Sequence, residues 1–224
     1  MAKGGVPPGG WHIPRMPANA SVDLALRRVP VQKRGRKTFE AILDAAAVCL
    51  REQGVGNLST NMIAERAGVN IATLYSYFPN KESILREMLV RSEEERMAAL
   101  APAIEGLGGS GWRESVGEIT GTMATFLMKS PVSLELRRAV AATPQLRPLA
   151  REGDGAVATA VADQIRARNP QVDAGRVRAV SEVAVLGISG VLDSYCNDGG
   201  IDSTVVDEAA EMAADYLAPF LDGR

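Results

Sequence analysis

Apolar residues recur along this chain at three- and four-residue steps, the period of helices that bury one face. Phe39, Ile42, Leu43, Ala46, Cys49 and Leu50 form the first stripe and predict a helix over about 37–53. Gly54 ends it as a glycine past the C-terminus, and Gly56 loosens the turn. Ser59 is placed to cap a short helix over 60–67, with Ile63, Ala64 and Ala67 as its buried set. Gly68 breaks that helix, Val69 plugs the turn, and Asn70 caps a third helix over 71–78 that Pro79 cannot continue. Two helices of about two turns joined by a three-residue turn containing Gly make a helix-turn-helix layout. Asn80 then caps a longer helix over about 81–100, with Ile84, Leu85, Met88 and Leu89 as its stripe.

Pro102 and the glycines at 106, 108, 109 and 111 read as a linker, and the domain boundary is expected near residue 102. Further helices are expected near 112–129, 133–142, 145–168, 173–196 and 203–221, with Asp173 and Ser203 as caps. No alternating strand pattern and no internal repeat is visible. Residues 1–31 have no period, and their prolines and glycines predict a disordered N-terminal extension. The expected organisation is therefore three parts: 1–31, a helix-turn-helix head over 32–101 that includes the fourth helix, and a helical body over 102–224. The fold class is all-α.

Charge sharpens this picture. The net charge of −2 argues against a nucleic-acid binder, but its distribution does not. Residues 1–80 carry ten Lys and Arg against five Asp and Glu, whereas residues 101–224 carry eleven against seventeen. A basic front on an acidic back is expected when one domain alone meets phosphate; a basic unfolded leader would give the same balance. Lys33, Arg34, Arg36 and Lys37 arrive just before regular structure begins, as a groove-following arm or a solvated leader would.

Several chemistries are disfavoured. His12, the single histidine, lies in the Gly/Pro-rich tail, so neither a His-based triad nor a two-histidine zinc site can form within one chain. No phosphate-binding glycine loop is present, and no catalytic residue, cofactor or metal ligand is expected. No apolar run reaches the roughly 18 residues that span a bilayer, and none follows Lys3 as a secretory leader would. Two distant cysteines, Cys49 and Cys196, suit a reducing cytoplasm.

The segment STNMIAERAGVNIATLYSYFPNK over 59–81 carries the functional reading. A recognition helix must be short, held by its partner and faced with small or hydrogen-bonding groups. Leu74 and Phe78 can face the core, which leaves Thr73, Ser76 and Tyr77 to face out beside Ile71 and Ala72. Methyls of Thr and Ala can meet thymine, Ser and Thr hydroxyls can meet base edges, and Tyr75 and Tyr77 can reach phosphates. A generic helical hairpin whose tyrosines cover core edges is the alternative.

In Ile63 and Ala64, Ala67 to Val69, Thr73 to Tyr75, Tyr77 and Phe78, and Asn80 to Glu82, the chain resembles the TetR family of bacterial transcriptional regulators. The resemblance covers about residues 36–100. It implies that Thr60 and Asn61 open the supporting helix beside phosphate or a base, and that Ile71, Ala72, Thr73, Tyr75, Ser76 and Tyr77 lie on the recognition helix. It implies a phosphate contact for Lys81. Many members carry His where Tyr77 stands, and Ser or a basic residue around Asn70 and Ile71, so the operator sequence does not carry over.

The resemblance further implies a homodimer on double-stranded DNA, a small-molecule ligand and action as a repressor. In the family the last two helices form the dimer bundle. Here that assigns Val177, Val180, Val183, Ala184, Leu186, Val191 and Leu192, then Val205, Val206, Ala209, Met212, Ala213, Tyr216 and Leu217. An unknown ligand would find apolar walls in Trp112, Met123, Phe126, Leu127 and Tyr195, residues that core packing equally explains. The rival from another class is an all-helical enzyme or metal-binding protein with an incidental helix-turn-helix. The lack of a Glu-x-x-His motif counts against it.

Overall fold

A computed structural model describes residues 23–129, 131–196 and 200–222. The regular elements of those residues are helices: α1 (Lys33–Asn57), α2 (Thr60–Arg66), α3 (Ile71–Tyr77), α4 (Lys81–Gly106), α5 (Trp112–Lys129), α6 (Pro131–Ala142), α7 (Arg147–Arg168), α8 (Ala174–Tyr195) and α9 (Ser203–Leu221). The all-α class is as expected.

Two apolar cores organise them. The first joins α1, α2, α3 and the opening turns of α4 through Phe39, Ile42, Ile63, Leu74, Phe78 and Ile84. Leu136, Ala139 and Val140 of α6 and Leu146 beyond it complete the same core. The second runs through the end of α4, α5, α7, α8 and α9, centred on Leu100, Ile104, Ile165, Leu192 and Leu217. Buried side chains of this size stabilise by about 1.5–3 kcal/mol each, so each core can hold its own helices together.

Local chemistry explains most boundaries. Gly54, at φ 67° and ψ 168°, interrupts α1 where the apolar stripe ends. Gly68, at φ 64°, makes the turn between α2 and α3, a conformation costly for residues with a Cβ. Asp173 Oδ1 accepts from the Arg176 N–H at 2.9 Å and opens α8.

Four expectations need correction. Helix α4 does not end near Leu100 but passes through Pro102 to Gly106. Pro102 cannot donate to the Ala98 carbonyl, yet both residues are exposed and water can take the freed acceptor. Asp202, not Ser203, caps α9, its carboxylate accepting from the Thr204 N–H at 2.9 Å. Helix α6 begins at Pro131 instead of being preceded by it, since a first-turn proline gives up no helical hydrogen bond. Residues 23–31, expected within a disordered extension, are irregular chain held on the head: Leu24 and Leu26 pack against its core. The rest of that extension, His12 included, lies outside the described residues, as do Asn197, Asp198 and Gly199.

Candidate nucleic-acid interface

Three side-chain caps set the reading unit. Ser59 Oγ accepts from the Met62 N–H at 3.3 Å and starts α2. Asn70 Oδ1 accepts from the Ala72 N–H at 2.8 Å and starts α3. Asn80 Oδ1 accepts from the Ser83 N–H at 2.8 Å, and Ser83 Oγ accepts in return from the Asn80 N–H at 3.4 Å. Each cap is worth about 1 kcal/mol, and helices as short as α2 and α3 depend on such caps and on packing. Leu74 and Phe78 supply the packing, both fully buried.

That anchorage leaves one face of α3 outward. Ala72, Tyr75 and Ser76 are exposed, while Ile71 and Thr73 are half-buried at its edge. Ser76 Oγ donates to the Thr73 carbonyl at 2.7 Å, so the hydroxyl's lone pairs face outward. Thr60, half-buried, and Asn61, exposed, continue the surface on α2, where Thr60 Oγ1 and Tyr75 Oη share a hydrogen bond of 3.0 Å. This bond fixes the Tyr75 ring across the two helices. The surface presents hydroxyls, an amide and methyl groups, the groups that meet base edges and phosphates.

Two expected members are placed differently. Tyr77 does not face outward: it is 7% exposed, and its ring meets Phe39 edge-on at 5.7 Å between centroids. Leu74, Tyr77 and Phe78 together form the buried face, since steps of three and four share a side of a helix. Lys81 Nζ, expected on phosphate, donates to the Leu58 carbonyl at 3.1 Å and the Val55 carbonyl at 3.4 Å. It closes the carbonyls left open where α1 ends.

Sequence reasoning missed the clasp over the end of α3. The Arg27 N–H donates to the Tyr77 carbonyl at 2.9 Å, and Arg27 Nη1 to the Tyr75 carbonyl at 3.1 Å. Asn80 Nδ2 donates to the Asp23 carbonyl at 2.8 Å. Three backbone acceptors carry this clasp, and no side-chain period betrays it.

In the rest of the molecule a cavity of about 1070 Å³ opens between α1, α4, α5 and α6, walled by Asp44, Met88, Glu95, Glu118, Thr125 and Phe126. Of the five residues expected around a ligand, Phe126 lines this cavity. Met123, Leu127 and Phe126 also line a small void beside Arg96 and Ser189. Trp112 is instead buried in the body's core, its Nε1–H donating to Asp222 Oδ1 at 3.1 Å. Tyr195 lies 57% exposed at the end of α8.

A buried ionic cluster crosses the same region. Arg96, 3% exposed, bonds to Glu93 and, at 3.1 Å, to Asp154, which also accepts from Ser189 Oγ at 3.3 Å. Arg137 pairs with Asp193 at 2.5 Å, tying α6 to α8. Burial lowers the pKa of Arg137, but the charges of Asp193, Asp154 and Glu93 outweigh it, and the guanidinium is held above its ordinary value. Burial pushes the Cys49 thiol up, as befits a core residue rather than a reactive one.

The residues expected along a dimer seam divide sharply. Val177, Val180, Ala184, Leu192, Ala209, Ala213 and Leu217 are buried within the protomer's own core, and Val206 packs against it. Val183, Leu186, Met212 and Tyr216 remain 56, 52, 50 and 42% exposed. Ala179, Val183, Leu186 and Gly190 follow one another at steps of four, three and four, so these exposed residues share one stripe along the middle of α8.

Known proteins share these features. Residues 42–88 match the bacterial regulatory proteins of the tetR family, and residues 110–221, half the chain, match the tetracyclin repressor-like C-terminal domain. An uncharacterised HTH-type transcriptional regulator of Mycobacterium tuberculosis is 33% identical over 72 residues, 32% of this chain and 34% of that protein. An HTH-type transcriptional repressor of the same species is 29% identical over 132 residues, 58% of this chain and 49% of that one. The chain thus spans between a third and a half of the length of these curated relatives. A TetR-family transcriptional regulator from Streptomyces coelicolor shares the fold, with a TM-score of 0.63 at 23% identity over 82% of this chain and 99% of that one. With the capped α2–α3 unit in the first matched segment and the helical body in the second, the chain belongs to the TetR family of bacterial regulatory proteins.

Proposed function

We propose that the chain binds double-stranded operator DNA as a homodimer and represses transcription until a small molecule occupies its body. It acts by binding, not by catalysis, and works in the cytoplasm. The outward face of α3, with Ala72, Tyr75 and Ser76 exposed over a core anchored by Leu74 and Phe78, carries the reading. Ile71, Ala72, Thr73 and Ser76 would meet base edges, while Thr60, Asn61 and Tyr75 would hold the backbone. Tyr77 and Lys81 would serve from within, as props of the same surface. The stripes on α8 and α9 would join two protomers, because one α3 reads only half a site.

The cavity between α1, α4, α5 and α6 favours a ligand that acts on DNA reading: its walls belong to both the head and the body. An occupant would change how α4 and α6 hold α1, and with it the spacing of the two recognition helices.

Capture of genomic fragments by the pure protein, followed by footprinting, tests the reading. The expected result is a near-palindromic site with half-sites about 34–36 Å apart, or one helical turn. Uniform affinity for all fragments, with no protected site, would overturn it.

A further inference from the structure

The geometry points to a second DNA-reading element: residues 27–32 form a fixed strap that, together with the opening turn of α1 from Lys33 to Lys37, enters the minor groove flanking each half-site. This rests on the operator-binding reading above. The strap is not a loose tail. Arg27 is clasped to the last turn of α3 through the Tyr75 and Tyr77 carbonyls, and Leu24 and Leu26 are seated on the head's core. Pro30 lies against Gly35, where an added Cβ would come within 3.3 Å of both Pro30 and the Tyr77 hydroxyl. The recognition helix and the strap therefore move as one body.

Position follows from dimensions. Helix α3 rises about 9 Å from Ile71 to Tyr77, and the major groove is about 12 Å wide. With the first turn of α3 against base edges, a chain fastened at Tyr77 stands over the backbone that separates major from minor groove. A fully extended chain from Arg28 to Lys33 would span at most about 17 Å; packed through Pro30 against Gly35 it is shorter, and the long side chains of Arg28 and Arg34 supply the rest of the reach.

Composition says what it would meet there. Arg27, Arg28, Lys33, Arg34, Arg36 and Lys37 face no acid in this stretch, and all are exposed. None of the six is ion-paired among the described residues. Val29 and Val31, on either side of Pro30, are 67 and 74% exposed, the most exposed large apolar side chains described. Unpaired guanidinium groups interleaved with bare aliphatic ones suit a narrow groove with apolar sugar walls and strong negative potential. A phosphate-only contact would not need the valines.

The experiment uses the full chain and its captured operator, carrying adenine–thymine, inosine–cytosine or guanine–cytosine flanks. Inosine–cytosine shows the adenine–thymine minor groove with the guanine–cytosine major groove, since it lacks the guanine 2-amino group. Adenine–thymine and inosine–cytosine flanks are expected to bind alike, and guanine–cytosine flanks about tenfold more weakly. Arg28→Ala with Arg34→Ala is expected to abolish that preference and weaken binding by at least about tenfold. The log–log salt slope should fall by about two per subunit, with the order of preferred half-site sequences unchanged. Both side chains are exposed and make no salt bridge among the described residues, so the melting temperature should hold and exclude unfolding as the cause. Flanks without effect on the wild-type protein would overturn the minor-groove assignment. A double variant that binds like wild type would overturn the strap as a DNA contact and leave it to a protein partner. Absence of any specific DNA site for the wild-type chain would overturn the operator reading first, and the strap with it.

Discussion

Replacing Val183 by Asp gives the sharpest test of the proposal that two protomers meet on the exposed faces of α8 and α9. Val183, Leu186, Met212 and Tyr216 are each about half exposed, so burying the remainder yields about 1 kcal/mol per side chain. Two copies of four residues then contribute about 8 kcal/mol, inside the range of about 4–15 kcal/mol estimated for the cost of association. The seam has small reserves. Asp at 183 removes about 2 kcal/mol of that gain across both copies, and it buries two carboxylates at a cost of about 1–3 kcal/mol each. The dimer should weaken by a factor of about a thousand or more. Sedimentation at micromolar concentration should report a monomer with wild-type helicity, and full-site DNA binding should fall in parallel. Val183→Ala, which loses only the burial, should weaken the dimer by about thirtyfold. Unchanged dissociation constants for both variants would refute the assignment of this stripe to the seam. Val206 serves as the contrast: it packs on the protomer's own core, so Val206→Asp should lower the melting temperature rather than simply part the subunits.

Arg96→Ala should destabilise the chain by about 3–5 kcal/mol, because it strands Glu93 and Asp154 in a site of low polarity; a loss below 1 kcal/mol in chemical denaturation would show that water already reaches the cluster. Ser181 Oγ is the buried side-chain polar atom without a partner among the described residues, so Ser181→Ala should leave stability unchanged or raise it by about 1 kcal/mol; clear destabilisation would reveal an unseen bond. Lys81→Ala should lower the head's melting temperature by uncapping the Val55 and Leu58 carbonyls. If instead the melt holds and the DNA salt slope drops by one per subunit, Lys81 is a phosphate contact after all.

The parts of the fold legible in the sequence were those that local chemistry decides. Ser59, Asn70 and Asn80 stand where helices begin, and each accepts the backbone hydrogen bond its position predicts. Leu74 and Phe78 were readable because steps of four mark one face. Tyr77 was not, because a phenol carries a polar tip on an apolar ring, and only the neighbouring Phe39 ring decides which prevails. Which of the expected seam residues stay exposed was illegible for a related reason: Val180 and Val183 have the same chemistry, and which is buried depends on where α7 and α9 lie against α8. The clasp at Arg27 was illegible, since backbone carbonyls have no letter in the sequence. Pro102 misled because burial of Leu100, Ala103 and Ile104 around it offsets the lost hydrogen bond and steric clash of a proline whose freed carbonyl faces solvent.

Helix α6 has a consequence for modularity. In chain order it belongs to the body, yet Leu136, Ala139 and Val140 fill the head's core, while Arg137 is bound to Asp193 of α8. A reader cut out at residue 101 would carry an open apolar wound along α1 and would aggregate or unfold. The smallest self-sufficient reader must bring α6 with it, through Leu146, although α5 lies between in sequence. Grafting a foreign sensor onto this head therefore means matching a helix that both halves own, and recombination at the apparent linker would join two incomplete proteins.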